Sequence, residues 1–176
     1  MIVTGRASNP TPNHIPSIRA GSATVRDLFA ASLIAADPTS FTARAVRLRL
    51  PDDRGASRRS WIISLGKAAS TMARAAVHEM NQRNAVIAGG LIVAPSVGDV
   101  PHSSLVGIAG DHPHPRERSA LAADALADLC DRVTGDQVVF VLLSGGASSL
   151  VGAPVDGLEL GHLAALSDAL LRTGLD

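Results

Sequence analysis

The feature that most constrains the fold of this chain is a repeated change in the spacing of its apolar residues. Short continuous apolar runs, typical of strands buried on both faces, alternate with longer stretches in which apolar residues recur at helical spacing. The runs are 61–65, 85–94, 104–109 and 137–143, and the helical stretches are 22–36, 39–48, 68–81, 117–133 and 160–172. This alternation predicts right-handed βαβ units, and therefore an α/β domain with a mainly parallel sheet and helices on both faces.

Several residues allow more local predictions. Pro38 is expected to stop the first helix, because the residue before a proline is driven out of the helical region. Gly89-Gly90 is expected to break the second strand. In the helix at 117–133, Leu121 belongs to the stripe predicted to face inward, and Cys130 is expected to be a small core residue.

Length and composition narrow the possible classes of protein. A chain of 176 residues fits one domain, here assigned to 22–176 and preceded by a flexible, proline-rich arm at 1–21. The sixteen basic and sixteen acidic residues balance, so no basic surface for the backbone of DNA or RNA is expected. Aromatic residues make up only 2% of the chain, so no platform for stacking nucleic-acid bases is expected either. The arm lacks the apolar core of a secretory signal, and no stretch is long enough to span a membrane, so a cytoplasmic protein is expected.

Lys67 is the only lysine, whereas the other fifteen basic residues are arginine. It follows Gly66 where the first predicted strand meets a helix, which is where α/β proteins often bind phosphate. A compact ammonium on a thin stem suits a tight anion pocket better than a planar guanidinium. The alternative is compositional, since an arginine-rich chain leaves few lysines and one must fall somewhere.

A second candidate anion site follows the last predicted strand. The segment Ser144-Gly145-Gly146-Ala147-Ser148-Ser149 combines glycine backbone with three hydroxyls at a predicted helix start. Free N–H groups and the positive end of a helix dipole attract anions there. The alternative is a plain strand-to-helix turn in which a serine caps the helix.

The loop Gly110-Asp111-His112-Pro113 supplies a third candidate site. Because ligands bind at the carboxyl ends of parallel strands, this loop and the two glycine turns are expected to converge at one sheet edge. His112 and His114 have no further ligands at usable spacing, so a loop histidine in a polar site is favoured over a metal site. Neither a P-loop, nor a dinucleotide-binding fingerprint, nor a nucleophile elbow fits these turns.

These landmarks together resemble the N-terminal part of the glycerate 2-kinase family, whose members carry a C-terminal MOFRL domain and include proteins called hydroxypyruvate reductases. The matching segments are, in order, Leu28–Pro38, Ser64–Ala68, Gly110–Pro113 and Leu142–Leu150. The chain departs from the family pattern at three positions. Ser64 stands where a glycine or alanine is usual, Asp111 is inserted, and Ala147 replaces the third loop glycine.

The resemblance implies a Rossmann-like domain that transfers phosphate from ATP, with Mg²⁺, to a small hydroxy acid, giving 2-phosphoglycerate from D-glycerate. Lys67 would face the transferring phosphate. Gly66, Ser144, Gly145, Gly146, Ser148, Ser149 and His112 would bind phosphate or substrate. The resemblance also implies that the C-terminal part and the MOFRL domain are missing, which leaves the activity of the chain alone open.

Two other functions remain open from the sequence. The chain could be a non-catalytic remnant, or half of a split protein, that binds nucleotide or sugar-acid phosphate. Its partner would then be a separate C-terminal half, or a second copy through exposed apolar surface. It could instead be an NAD(P)-dependent reductase, although no dinucleotide-binding fingerprint supports this.

Overall fold

The computed structural model describes residues 25–50 and 59–174, so the predicted arm at 1–21 lies outside the described residues. Its compact units are residues 1–36 and 37–176. The first contains helix α1 (Val25–Ala35). The second contains α2 (Pro38–Arg49), β1 (Ser60–Leu65), α3 (Ala69–Gln82), β2 (Ile87–Ala94), β3 (Leu105–Ala109), α4 (Glu117–Arg132), β4 (Val138–Leu143), α5 (Ala147–Leu150) and α6 (Leu160–Thr173).

The four strands form one parallel sheet in the order β3-β2-β1-β4. The prediction of an α/β fold is therefore confirmed. Chain order runs outward from β1 to β3 on one side and then returns to place β4 on the other side of β1. In sheets of this kind, ligands bind where the strand order reverses, outside the carboxyl ends of the strands. That point lies here between β1 and β4.

Apolar layers cover both faces of the sheet. On one face, α2 and α3 pack Val46, Ala73 and Met80 against Ile62 of β1 and Ile92 of β2. On the other face, residues of α4 and α5 pack against the strands; this layer consists of Trp61, Ile63, Leu65, Leu91, Val93, Ala122, Leu129 and Leu150. Burial of these aliphatic side chains supplies the main driving force for folding. The sequence-based expectation of helices on both faces is met.

The glycine pair of β2 does not break the strand, as the sequence had suggested. β2 runs without interruption from Ile87 to Ala94. A Cβ at Gly89 would lie 2.5 Å from Cζ3 of Trp61, and a Cβ at Gly90 would overlap the carbonyl oxygen of Ile62. The glycines therefore let the indole ring and the neighbouring strand approach closely, which outweighs their low strand propensity.

The first helix ends before Pro38, as predicted, and Pro38 itself starts the next helix. It occupies the first turn of α2, where a missing N–H costs nothing, and Asp37 is the N-cap. The Asp37 carboxylate accepts hydrogen bonds from the Thr39 N–H at 3.0 Å and the Thr39 hydroxyl at 2.8 Å. α1 ends at Ala35, before this capping motif begins.

Two residues of α4 face differently from the prediction. Leu121 is 60% exposed and Cys130 is also exposed, so neither belongs to the core. The buried stripe of α4 is narrower than the predicted one and contains Ser119, Ala122 and Leu129. Because α4 lies over one face of the sheet, residues one position away from that stripe turn outward.

The edge strand β4 carries an apolar surface that is uncovered in the described structure. Val139, Val141 and Leu143 alternate along β4 with exposures of 36%, 56% and 63%, and are called here the β4 face. They pair in register with Trp61, Ile63 and Leu65, which are covered by α4 and α5.

The predicted leucine stripe of α6 is likewise only partly covered, since no residue of that helix is buried.

A buried acidic residue joins α2 to α3. The carboxylate of Glu79 accepts two hydrogen bonds from Arg47, at 2.9 and 2.8 Å, and one from Arg83 at 3.2 Å. Hydrogen bonding to Arg47 holds the pKa of Glu79 below its usual value.

In the described residues no helix is both long and apolar enough to cross a membrane.

Candidate functional site

The three turns expected to converge do follow the carboxyl ends of β1, β3 and β4. They are Gly66-Lys67 after β1, Gly110–Pro113 after β3 and Ser144–Ser149 after β4. The strands are parallel, so all three turns leave the same edge of the sheet. Two of them flank the point where the strand order reverses.

The turn after β1 requires glycine at its first position. Gly66 is buried and has φ of +117°, a conformation that residues with a Cβ rarely adopt. A Cβ there would overlap the hydroxyl and carbonyl oxygens of Ser144. Gly66 therefore lets the β1 and β4 turns touch, backbone against backbone.

Three hydrogen bonds fix these two turns to each other. The Lys67 N–H donates to the Gly145 carbonyl at 3.0 Å, and the Ala68 N–H donates to the Ser144 hydroxyl at 3.0 Å. The Ser144 N–H donates to the Leu65 carbonyl at 2.9 Å. Because the Ser144 hydroxyl is occupied by these contacts, its role is to position the Lys67 turn, and the side chain of Lys67 itself is exposed.

Gly146 is the point at which the three turns meet. It has φ of +88° and is the N-cap of α5. A Cβ at this position would lie 2.8 Å from Cδ2 and 2.9 Å from Nε2 of His112, and 3.5 Å from Cε of Lys67. The imidazole of His112 and the stem of Lys67 therefore both lie against the Gly146 backbone, on the side where other residues carry a side chain.

The same turn presents unused hydrogen-bond donors. Within the described parts of the chain, the backbone N–H groups of Gly145, Gly146, Ala147 and Ser148 have no hydrogen-bond acceptor. Consecutive free N–H groups of this kind are a common way to bind the oxygens of phosphate or carboxylate. With the Lys67 ammonium and the His112 imidazole beside them, they form a small region suited to an oxyanion.

The helix that follows this turn is only a single turn long. α5 has four residues, so it has only one turn of aligned peptide dipoles and the predicted helix-dipole contribution to anion binding is small. Individual N–H groups would therefore carry the interaction. Ala147 has a helical conformation and not a positive φ, so its methyl group does not strain the turn.

The serines of this turn differ in availability. Ser148 is exposed and its hydroxyl is available to a ligand. Ser149 is buried, and its N–H and hydroxyl both donate to the Gly146 carbonyl, at 3.3 and 3.0 Å. Among the predicted site residues, Ser149 and Ser144 thus stabilise the turn, whereas Gly145, Gly146 and Ser148 remain free to contact a bound group.

The loop that carries His112 has its own internal supports. Asp111 is held by Arg118 through a 2.9 Å bond from the Arg118 N–H and ion-pair contacts of 2.9 and 2.8 Å from the guanidinium. A cavity of about 250 Å³ opens beside it. Its lining consists of Asp111, His112, Pro113, His114, Arg116 and Arg118. Asp111 therefore anchors the loop to the start of α4.

Metal binding by these residues has no structural basis in the described chain. No group of three or more His, Cys, Asp or Glu side chains is placed to hold an ion in residues 25–50 and 59–174. The Asp111 carboxylate is engaged by Arg118.

Two residues that sequence reasoning did not assign to the site support it from beneath. Ser64 is fully buried and its hydroxyl donates to the Ala69 carbonyl at 2.8 Å, which ties the end of β1 to the first turn of α3. Ser119 is also fully buried and bonds to both the His112 loop and the α5 segment. The Ser119 hydroxyl accepts from the Arg116 N–H, which is half of a capping box, but an arginine N-cap is not the usual sequence signal and the contact with α5 is not visible in the sequence.

Comparison with known proteins identifies related chains. Residues 24–176 match the family model described as "Domain of unknown function (DUF4147)". A protein named glycerate 2-kinase from Pyrococcus horikoshii is 32% identical over 114 residues, 65% of this chain and 25% of that protein. A putative hydroxypyruvate reductase from Agrobacterium vitis is 31% identical over 85% of this chain and 32% of its own length.

A solved structure shares the fold. The crystal structure of glycerate kinase from Thermotoga maritima superimposes with a TM-score of 0.67 at 27% sequence identity. The alignment covers 85% of this chain and 34% of that structure. The chain thus spans about a quarter to a third of the length of these relatives.

Proposed function

Because the chain belongs to the DUF4147 family, the N-terminal domain of glycerate kinases, we propose that it provides the phosphate-handling part of a glycerate 2-kinase. The proposed reaction transfers the terminal phosphoryl group of ATP to the 2-hydroxyl of D-glycerate. The observation that carries the proposal is the meeting of Lys67 and His112 at Gly146, beside four N–H groups without acceptors. Phosphoryl transfer depends mainly on such positioned positive charge and donors.

Each group has a distinct proposed task. Lys67 would neutralise charge on the phosphoryl oxygens, and its exposed ammonium can reach a ligand above the turn. The N–H groups of Gly145 and Gly146 would bind and orient those oxygens. His112, which lies on the same side of Gly146 as the Lys67 stem, would donate a hydrogen bond to the bound group or take up the proton of the attacking hydroxyl.

The described residues fit ATP phosphates but not a resident metal ion. The free N–H groups and Lys67 are donors, and the absent side chain at Gly146 lets the His112 ring approach the turn closely. No free carboxylate cluster accompanies them. Mg²⁺ bound to ATP would supply charge neutralisation of the phosphates, and no residue of the described chain is assigned to hold it.

An activity assay tests the proposal. Purified chain is incubated with ATP, Mg²⁺ and D-glycerate, and 2-phosphoglycerate is measured. Lys67→Ala is expected to abolish product, whereas Arg74→Ala, which removes an exposed cation on α3, is expected to leave the rate unchanged. Turnover that survives Lys67→Ala would remove the lysine from the mechanism.

A second candidate is a split enzyme in which this chain needs another polypeptide. It is favoured by the β4 face, whose apolar side chains are exposed in the described structure. In that case the chain alone binds ATP without turnover. Product formation appears only on addition of the remaining part of a longer relative, such as the residues of the Pyrococcus protein beyond the matched segment.

The relative named putative hydroxypyruvate reductase raises a third candidate, an NAD(P)-dependent reductase. The β1 turn, Leu65-Gly66-Lys67-Ala68, lacks the glycine pattern that brings a helix close to a dinucleotide pyrophosphate. Oxidation of NADH in the presence of hydroxypyruvate would favour this candidate over the kinase. The kinase requires ATP and the reductase does not, so NADH oxidation measured without added ATP reports the reductase alone.

A further inference from the structure

Ser119 occupies a position from which it connects the two loops of the candidate site. Its side chain is fully buried at the start of α4. The hydroxyl donates to the Ser149 carbonyl at 2.7 Å and accepts from the N–H groups of Asp111 at 3.2 Å and Arg116 at 3.3 Å. The bond from Arg116 is an ordinary helix-capping contact, but the other two join α4 to different segments.

These hydrogen bonds form a continuous chain of contacts around the site. Gly146 accepts from Ser149, Ser149 accepts from Ser119, and Ser119 accepts from Asp111, the residue before His112. This chain of contacts is completed where the His112 ring lies against Gly146. Two further contacts tighten the same junction: a Cβ at Gly110 would lie 2.5 Å from the Leu150 carbonyl oxygen, and the Gly152 N–H donates to the Ser119 carbonyl at 3.2 Å.

We propose that Ser119 is a positioning residue that holds the His112 loop against the Gly146 turn and so sets the distance between the imidazole and the oxyanion-binding N–H groups. The inference rests on the proposed function, because it concerns how that site is assembled. Ser119 itself is buried and does not touch a ligand. Its hydroxyl acts through the Ser149 carbonyl on one side and the Asp111 backbone on the other.

The physical reason is that a buried hydroxyl with one donor and two acceptor positions can serve three backbone partners at once. Alanine would leave the Ser149 carbonyl and the Asp111 N–H without this partner. The His112 loop is otherwise tied to α4 by the exposed Arg118 rather than to the Gly146 turn. Loss of the Ser119 hydroxyl therefore removes the hydrogen-bonded link between the loop and α5, leaves only the close packing of Gly110 on Leu150 there, and keeps the Asp111–Arg118 pair on α4.

The test compares three variants with the wild-type chain. Ser119→Ala removes the hydroxyl, and Ser119→Cys fills the same space with a somewhat larger sulfur that supplies only a weak donor and acceptor. Ser60→Ala is the matched control, a buried serine at the opposite, amino end of β1. Folding is verified for each by thermal unfolding. If Ser119→Ala does not fold, the Cys variant carries the comparison, because it leaves no cavity.

The first readout is independent of ligand and of activity. In the wild type, a nuclear Overhauser effect between the His112 ring proton on Cδ2 and the Gly146 α-protons is expected, given their close approach. It should be lost or strongly reduced in both Ser119 variants and retained in Ser60→Ala. An unchanged effect in Ser119→Cys would show that volume, rather than hydrogen bonding, holds the loop, and would overturn the inference.

The second readout is affinity for ATP, with inorganic phosphate as a smaller probe. Both Ser119 variants are expected to bind at least about tenfold more weakly than wild type and Ser60→Ala, since small displacements of binding groups have large effects. Equal affinities in all four proteins would contradict the positioning role. If the wild type binds neither probe while the Overhauser effect still depends on Ser119, the proposed function fails and the assembly of the two loops by Ser119 stands.

Discussion

Substitution of Gly146 by alanine tests the geometry of the site, because an internal control is available at Gly157. Both glycines have positive φ, +88° and +83° respectively. A Cβ at Gly157 has no heavy atom within 4 Å, whereas at Gly146 it meets the His112 ring at 2.8 Å. The two alanine variants therefore share the strain of a positive φ, and the one close contact that separates them is that of the Gly146 Cβ with the imidazole.

The strain should cost each variant a similar amount of stability. An alanine in the left-handed region costs about 1–2 kcal/mol. For a chain of this size each kcal/mol lowers the melting temperature by about 2–4 °C, so both variants should melt about 2–8 °C below wild type. The contact with His112 adds little to this cost, because an imidazole at the end of a side chain can move away.

That movement is what the assay measures. For the Gly146 variant, the His112 ring must retreat from 2.8 Å to an ordinary contact of about 3.4 Å or more, a shift of about 0.6 Å. A displacement of this order in a binding group is expected to weaken ATP affinity by about tenfold or more. Isothermal titration should therefore show wild-type affinity for Gly157→Ala and reduced affinity for Gly146→Ala. Equal affinities in the two variants would refute the placement of His112 at Gly146.

Three further predictions concern stability and association. Gly66→Ala should destabilise the fold by about 3 kcal/mol or more in urea titrations, because its Cβ meets Ser144 backbone that cannot move aside, whereas Gly98→Ala, with open space around it, should change stability by less than about 1 kcal/mol. Because the pKa of Glu79 is lowered, its ion pair stabilises the fold above pH 4.5, and this contribution is lost as the pH falls through the lowered pKa. Glu79→Gln should therefore lower the free energy of unfolding by about 1–2 kcal/mol at neutral pH. A difference in stability between variant and wild type that stays constant on acidification would contradict this. Replacing Val141 with threonine on the β4 face should reduce concentration-dependent self-association in sedimentation velocity, and an unchanged sedimentation coefficient across concentrations in both proteins would argue that the face does not self-associate.

The order of elements was predictable because its signal is local. The spacing of apolar residues within each segment reports whether one or two faces are buried, and this placed all four strands and the helices around them near their observed bounds. What failed depended on distant partners. Gly89 and Gly90 look like strand breakers until Trp61 and the Ile62 backbone are placed against them.

The convergence of the turns was predictable for the same reason. Glycine turns at strand ends identify where backbone can approach a ligand, so Gly66, Gly145 and Gly146 were predicted as site residues, and the structure places them in adjoining turns. Ser119 was not, because its importance comes from a hydrogen bond to Ser149, thirty residues away. The length of α5 was also hidden, since a Ser-Ser-Leu sequence after glycine is compatible with a long helix as well as a single turn.

We propose that the two adjoining turns, Gly66-Lys67 and Gly145–Ser148, bind the phosphates of ATP. An amide nitrogen–proton correlation spectrum of the chain titrated with ATP and Mg²⁺, alongside Lys67→Ala, tests this directly. We expect saturable shifts concentrated at Lys67, Gly145, Gly146, Ala147 and Ser148, and affinity at least about tenfold weaker in the variant. Shifts located elsewhere on the sheet, or the same affinity in Lys67→Ala, would contradict it.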